Sequence, residues 1–160
     1  MNEVSSSARK PAFPGVLRAY GKISAVLPQT PVKNFEIGGV QVWAKADSLQ
    51  PVGAFKLRGA WHRLTDLSEA ERALGVVAFS SGNHAQGVAW AAAQLGVAAT
   101  IVVPRDAPAI KIEATRAWGA QLVFFDRMTE DRTQIAADIA KRTGATLVPS
   151  FDDPWIIEGQ

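Results

Sequence analysis

Gly75-Val76-Val77-Ala78-Phe79-Ser80-Ser81-Gly82-Asn83-His84-Ala85-Gln86-Gly87 joins a short apolar, β-branched run to a stretch long enough for a helix, and the same unit recurs down the rest of the chain. The apolar runs are Val76 to Phe79, Thr100 to Val103, Leu122 to Phe125 and Thr146 to Val148, and their starts lie 24, 22 and 24 residues apart. Between them, His84 to Leu95, Pro108 to Trp118 and Glu130 to Thr143 are each of helical length. Each closes on a glycine, Gly96, Gly119 or Gly144, which can take the left-handed conformation past a helix end without a Cβ clash. Strand, helix and parallel strand in alternation predict an α/β fold, a parallel sheet with helices on both faces. The repeated units share no sequence similarity, so the period marks one core and not a solenoid.

The first 74 residues read differently, and a boundary is expected near Leu74 and Gly75. Pro11, Pro14, Pro28 and Pro31 interrupt the start and leave room for one helix, Gly15 to Val26. Val40 to Lys45 alternates like a strand, with a turn at Gly38-Gly39 before it. After the turn Gln50-Pro51-Val52-Gly53, a helix is predicted over Ala54 to Leu64. Ser68 and Glu71 form a capping box that opens a short helix ended by Gly75. Asp152-Asp153-Pro154-Trp155 reads as a further helix start, with proline near its first position.

The composition narrows the function classes. With 48% hydrophobic and 20% charged residues in 160, the chain is of globular type. The longest apolar run, Val88 to Ala93, is far short of the roughly 18 residues of a membrane span. Met1 to Lys10 shows no apolar core of a secretory signal, and a cytoplasmic location is expected. Zero cysteines exclude disulfide scaffolds and thiolate metal sites. The net charge of +2 is scattered, which argues against a nucleic-acid partner. His62 and His84 lack metal-ligand spacing, so no metal site is expected.

Gly82 to Gly87 has the spacing of a phosphate loop, but Val88-Ala89 stands where such a loop needs Lys and Ser or Thr. GxGxxG and GxSxG are both absent. What remains is the polar loop Ser80-Ser81-Gly82-Asn83-His84 between a strand and a helix start. The crevice beyond strand C-termini is where ligands bind in such sheets, and a helix start offers free N–H groups to an anion. The competing reading is that the loop only caps the helix. Lys56, between Phe55 and Leu57, is a candidate nucleophile if desolvation leaves its amine neutral. Taken alone, a lysine on a solvated helix is the commoner case.

Gly53-Ala54-Phe55-Lys56-Leu57-Arg58-Gly59-Ala60 resembles the cofactor-lysine motif of pyridoxal-phosphate enzymes of the tryptophan-synthase-β fold. Ser80 to Gly87 resembles the substrate-carboxylate loop of their threonine/serine dehydratase and serine racemase branch, in the same order and at similar separation. Thr30-Pro31, Asp47 to Gln50, Val102 to Pro104, Ala107-Pro108 with Lys111, and Phe151 to Gln160 match in register. Val52 and Ala54 depart from the Thr and Ser frequent there. The family's chains are about twice as long. Their glycine-rich loop for the cofactor phosphate, their partner for the pyridine nitrogen and their cation site fall beyond Gln160, so the chain reads as an N-terminal half.

The resemblance implies that residues 1–74 belong to a large cofactor-binding domain, 75–148 form a small α/β domain, and 149–160 return toward the large one. It implies pyridoxal 5'-phosphate as cofactor, carried covalently by Lys56, with Phe55 close to the ring and Asn83 placed to bond the ring hydroxyl. Ser80, Ser81, Asn83 and His84 would hold the substrate carboxylate. Arg132 is a further candidate for substrate binding, or an exposed member of a charged stretch. Ser81 is either a second catalytic acid, as racemisation needs, or a carboxylate ligand only. The implied reaction converts L-threonine or L-serine to a 2-oxo acid and ammonia, possible racemisation beside it, in a homodimer if the chain is longer. The alternative is a non-catalytic remnant acting as a binding or interaction domain.

Overall fold

A computed structural model describes residues 9–160; most of the N-terminal stretch read for a leader, 1–8, lies outside them. Four parallel strands, β3 (Val76–Phe79), β4 (Ala99–Pro104), β5 (Gln121–Phe125) and β6 (Thr146–Leu147), form a sheet in the order β5-β4-β3-β6. Strand β3 is buried throughout because it has cover on both faces. Val76 and Ala78 point into one apolar cluster with Ala85, Val88, Ala89 and Ala92 of α4 (Asn83–Leu95). Val77 and Phe79 point into a second cluster with Ala136 and Ile139 of α6 (Arg132–Thr143). Strand periodicity of two sorts the side chains between these layers. The predicted α/β class and all four strands are present. The two helices that follow them and α5 (Ala109–Ala117) fall within a few residues of the predicted spans.

Gly96 and Gly144 end α4 and α6 in the left-handed region, at φ 65° and 76°. Gly119, at φ 81°, lies two residues beyond the end of α5. The capping box before α3 (Glu69–Leu74) is complete. Ser68 Oγ accepts from the Glu71 N–H, and a Glu71 carboxylate oxygen accepts from the Ser68 N–H. Such a pair stabilises a helix start by about 1 kcal/mol.

The N-terminal region holds α1 (Phe13–Ser24), a hairpin of β1 (Val32–Ile37) with β2 (Val40–Lys45), a 3-10 turn (Asp47–Leu49) and α2 (Lys56–Thr65). Helix α1 starts and ends two residues earlier than predicted. Strand β1 has no counterpart in the sequence reading. All six of its residues are exposed, so Val-Lys-Asn-Phe-Glu-Ile shows no buried alternation to read. Gly38 and Gly39, at φ 57° and 80°, supply the two positive φ angles of the tight turn.

The core runs across the expected boundary. Leu57, Ala60, Trp61 and Leu64 of α2 share one cluster with β3 and α4, and the Trp61 and Trp90 rings stand 5.5 Å apart. Helix α7 (Pro154–Gly159) returns to pack on α2 and α1. It is capped by Asp153, whose carboxylate accepts from the Ile156 N–H. No helix among the described residues is long and apolar enough to cross a membrane.

Candidate active site

After β5 the chain crosses through α6 to place β6 on the far side of β3, so the winding direction reverses between β3 and β6. The segments leaving two such strands diverge and open a crevice, the usual ligand position in sheets of this kind. A cavity of about 380 Å³ lies there. Ser80 to His84 leave β3 on one side, and Ser150 and Phe151 follow β6 on the other. Phe55, Lys56 and Lys111 complete the wall, and among the described residues no Asp or Glu lines it.

Lys56 is the first residue of α2 and is half-buried. Its ammonium donates to the Ser150 carbonyl oxygen at 3.0 Å and to Gln160 Oε1 at 3.0 Å. It also stands 5.2 Å from the Phe55 ring centroid. Burial lowers its pKa below that of an ordinary lysine, because desolvation penalises the charged form. A neutral amine is thus more accessible here than on a solvated helix.

The loop Ser80 to His84 does not cap its own helix. Gly82 occupies the cap position of α4 and offers no side chain, and Ser80 Oγ accepts only the Gly82 N–H, at 3.2 Å. The first N–H groups of α4 are therefore open to an anion, with the positive end of the helix dipole behind them. Ser81 is half-buried and Asn83 exposed on the cavity wall.

His84 differs from its expected role. The imidazole is 3% exposed, and its Nε2–H donates to the Val148 carbonyl oxygen at 3.0 Å, pinning α4 to the end of β6. The ring is thus committed to the fold, and the backbone N–H is what His84 can present to an anion. Desolvation pushes its pKa down to about 4, against a smaller opposing effect of the Val148 bond.

Burial depresses His62 as well, and the unfolded chain takes up protons on both rings at about pH 6.5, which the folded one refuses. Stability should therefore fall from pH 6.5 toward pH 4, by up to about 1.4 kcal/mol per pH unit from His84, with His62 acting in the same direction. Urea titrations at stepped pH would show this, and His84→Asn should flatten the slope. A slope unchanged by that substitution would contradict the assignment.

Arg132 is not brought to the Lys56 cavity. It is the first residue of α6, its guanidinium lies 5.4 Å from the Phe79 ring centroid, and it lines a separate cleft with Phe125, Arg127, Glu130 and Asp131. Lys111, Ser150 and Gln160 meet the site without having been read as site residues. The signal for Ser150 was its position just past β6, the strand that flanks β3.

A family model described as pyridoxal-phosphate dependent enzyme matches residues 23–160. An L-threo-3-hydroxyaspartate ammonia-lyase of a Pseudomonas species is 48% identical over 153 residues, 93% of this chain and 48% of the relative. An L-threonine ammonia-lyase of Thermotoga maritima is 47% identical over 78% of this chain and 31% of its own. The solved structure of maize serine racemase superposes with a TM-score of 0.89 at 32% identity, covering 94% of this chain and 47% of that one. The chain thus spans about half the length of the first of these relatives.

Proposed function

Because the chain belongs to the pyridoxal-phosphate-dependent enzyme family and has its tryptophan-synthase-β-type fold, we propose that it contributes the lysine and the carboxylate-binding loop of an ammonia-lyase acting on β-hydroxy amino acids. One observation carries this reading: Lys56 Nζ, with its pKa lowered, and the uncapped start of α4 open on one cavity at the sheet's switch point. The relatives named for L-threonine and L-threo-3-hydroxyaspartate, and the likeness to a serine racemase, support the substrate class.

The residues fit the cofactor. A desolvated amine suits covalent attachment to an aldehyde, and a wall whose described residues carry no carboxylate suits an anionic group. When bound, pyridoxal phosphate supplies an electron sink for the negative charge that develops at the substrate Cα. Phe55 and Asn83, both on the cavity wall, would hold the cofactor, Phe55 beside the ring and Asn83 by its amide. The hydroxyls of Ser80 and Ser81, the Asn83 amide and the N–H groups that open α4, including that of His84, bind the substrate carboxylate. Lys56 Nζ takes the α-proton as general base. The β-hydroxyl leaves as water, and hydrolysis returns water to yield the 2-oxo acid and ammonia. Ser81 returns a proton on the face opposite Lys56 when the product is the D-isomer. Arg132 would reach the substrate only by a movement of α6 toward the cavity. The reading also carries residues 75–148 as a small domain, with α7 returning to the N-terminal part, and a cytoplasmic homodimer.

The test is product analysis of the protein at the full length of its relatives, incubated with pyridoxal phosphate and L-serine, L-threonine or L-threo-3-hydroxyaspartate. A 2-oxo acid and ammonia in equal amounts are expected. Ser81→Ala should lower D-serine formation by roughly a hundredfold while pyruvate formation persists. Equal loss of both products would make Ser81 a binding residue only. Cofactor attachment without turnover of any substrate would leave the non-catalytic binding domain as the reading.

A further inference from the structure

Gln160 meets Lys56 with no part in the chemistry above. Its backbone carbonyl oxygen accepts from Arg58 Nη2 at 2.9 Å, and that guanidinium is itself held by the two Asp47 carboxylate oxygens at 3.2 and 3.0 Å. Its side chain runs along Gly59 of α2, where a β-carbon would stand 3.0 Å from Gln160 Cγ and 3.2 Å from Nε2. Helix α7 comes this close because Gly159 meets Gly59: a β-carbon on Gly159 would lie 2.7 Å from the Gly59 Cα and 2.9 Å from the Arg58 carbonyl oxygen. Two glycines thus bring α7 against α2 and set the Gln160 carboxamide beside the lysine that opens α2.

Packing alone does not call for a carboxamide there. Its Nε2 is buried and has no hydrogen-bond partner among the described residues, and a buried polar atom left unpaired costs stability. Leucine would fill similar space without that cost. What the carboxamide provides is Oε1, which accepts from Lys56 Nζ at 3.0 Å beside the Ser150 carbonyl oxygen, also at 3.0 Å. A neutral lysine amine carries two N–H groups and one lone pair, set tetrahedrally with Cε about the nitrogen. With both N–H groups donated to these two oxygens, the direction of the lone pair is fixed. We infer that Gln160 is a positioning residue that, together with the Ser150 carbonyl, aims the Lys56 lone pair into the cavity. That role rests on the proposed reading of the site. In covalent attachment the lone pair forms the bond to the aldehyde carbon, both amine protons pass to the aldehyde oxygen, and that oxygen leaves as water. The same aimed lone pair later takes the α-proton.

Attachment of pyridoxal phosphate can be followed by visible absorption, in the protein at the full length of its relatives, at rising pH until the rate levels off with the amine neutral. The level reports orientation, and the pH of half-rise reports proton affinity. Gln160→Leu should level off roughly tenfold lower than the parent. Gln160→Glu keeps the acceptor and should level off near the parent, with its half-rise at higher pH because a carboxylate favours the ammonium. A packing role would not separate level from half-rise in this way. Gln160→Asn, whose oxygen is withdrawn by one carbon–carbon bond, should share the loss and carries the test if Gln160→Leu fails to fold. The role is overturned if that loss is smaller than about threefold, or if Gln160→Glu loses as much as Gln160→Leu. Borohydride trapping and peptide mapping of the parent keep the two readings apart. Label away from Lys56 refutes the proposed function, whereas label on Lys56 at a rate indifferent to Gln160 refutes the positioning role alone.

Discussion

Lys56→Ala is expected to abolish covalent attachment of pyridoxal phosphate and to lower turnover by roughly a thousandfold or more, since one substitution removes both the anchor and the general base. Borohydride trapping followed by peptide mapping should place the label on Lys56 in the unaltered chain and nowhere in the variant. Label on Lys45 or Lys111 would refute the assignment. Neither shares the Lys56 setting: Lys45 is paired with Asp47 at 2.8 Å, and Lys111 is exposed. The variant should keep its fold, because Lys56 lies at the first position of α2 and its side chain gives up only the bonds to Ser150 and Gln160. Circular dichroism and urea unfolding close to those of the parent chain would confirm that the loss is chemical.

A large effect on stability is expected at Gly87. A β-carbon there would meet the backbone of α2, at 2.9 Å from the Leu57 nitrogen, 3.0 Å from the Leu57 Cα and 3.0 Å from the Lys56 carbonyl carbon. Backbone atoms at such range have no rotamer by which to give way, so α4 and α2 must move apart. Gly87→Val should cost about 3 kcal/mol, with Gly87→Ala milder because alanine's helix propensity offsets part of the clash. In a chain of this size that corresponds to a fall in Tm of roughly 6–12 °C. The two helices also carry the two halves of the site, Lys56 at the start of α2 and the anion-binding loop at the start of α4. Trapping at Lys56 should therefore fall as well. Unchanged Tm together with unchanged trapping would show that the helices do not depend on this contact.

By itself the amino-acid sequence determined what is local or periodic. The β-branched runs of even spacing specify parallel strands, because a strand covered on both faces needs apolar residues at successive positions. The Ser68 and Glu71 box and Gly96 and Gly144 specify helix ends through bonds and φ angles within a few residues of each other. Lys56 and the Ser80 to His84 loop were legible as motifs for the same reason, each being a short run of residue types. Only the tertiary structure decided what comes together from far apart. The Lys56 ammonium meets Gln160, 104 residues away, and His84 spends its ring on Val148, 64 residues away. Lys111 is carried over Gly82 by the packing of α5 beside α4, while Arg132 goes to another cleft because α6 covers the opposite face of the sheet. Strand β1 is set by pairing with β2, since exposed residues carry no burial pattern to read. Such contacts depend on how elements pack across the sheet, and no spacing along the chain encodes the direction in which a side chain will find its partner.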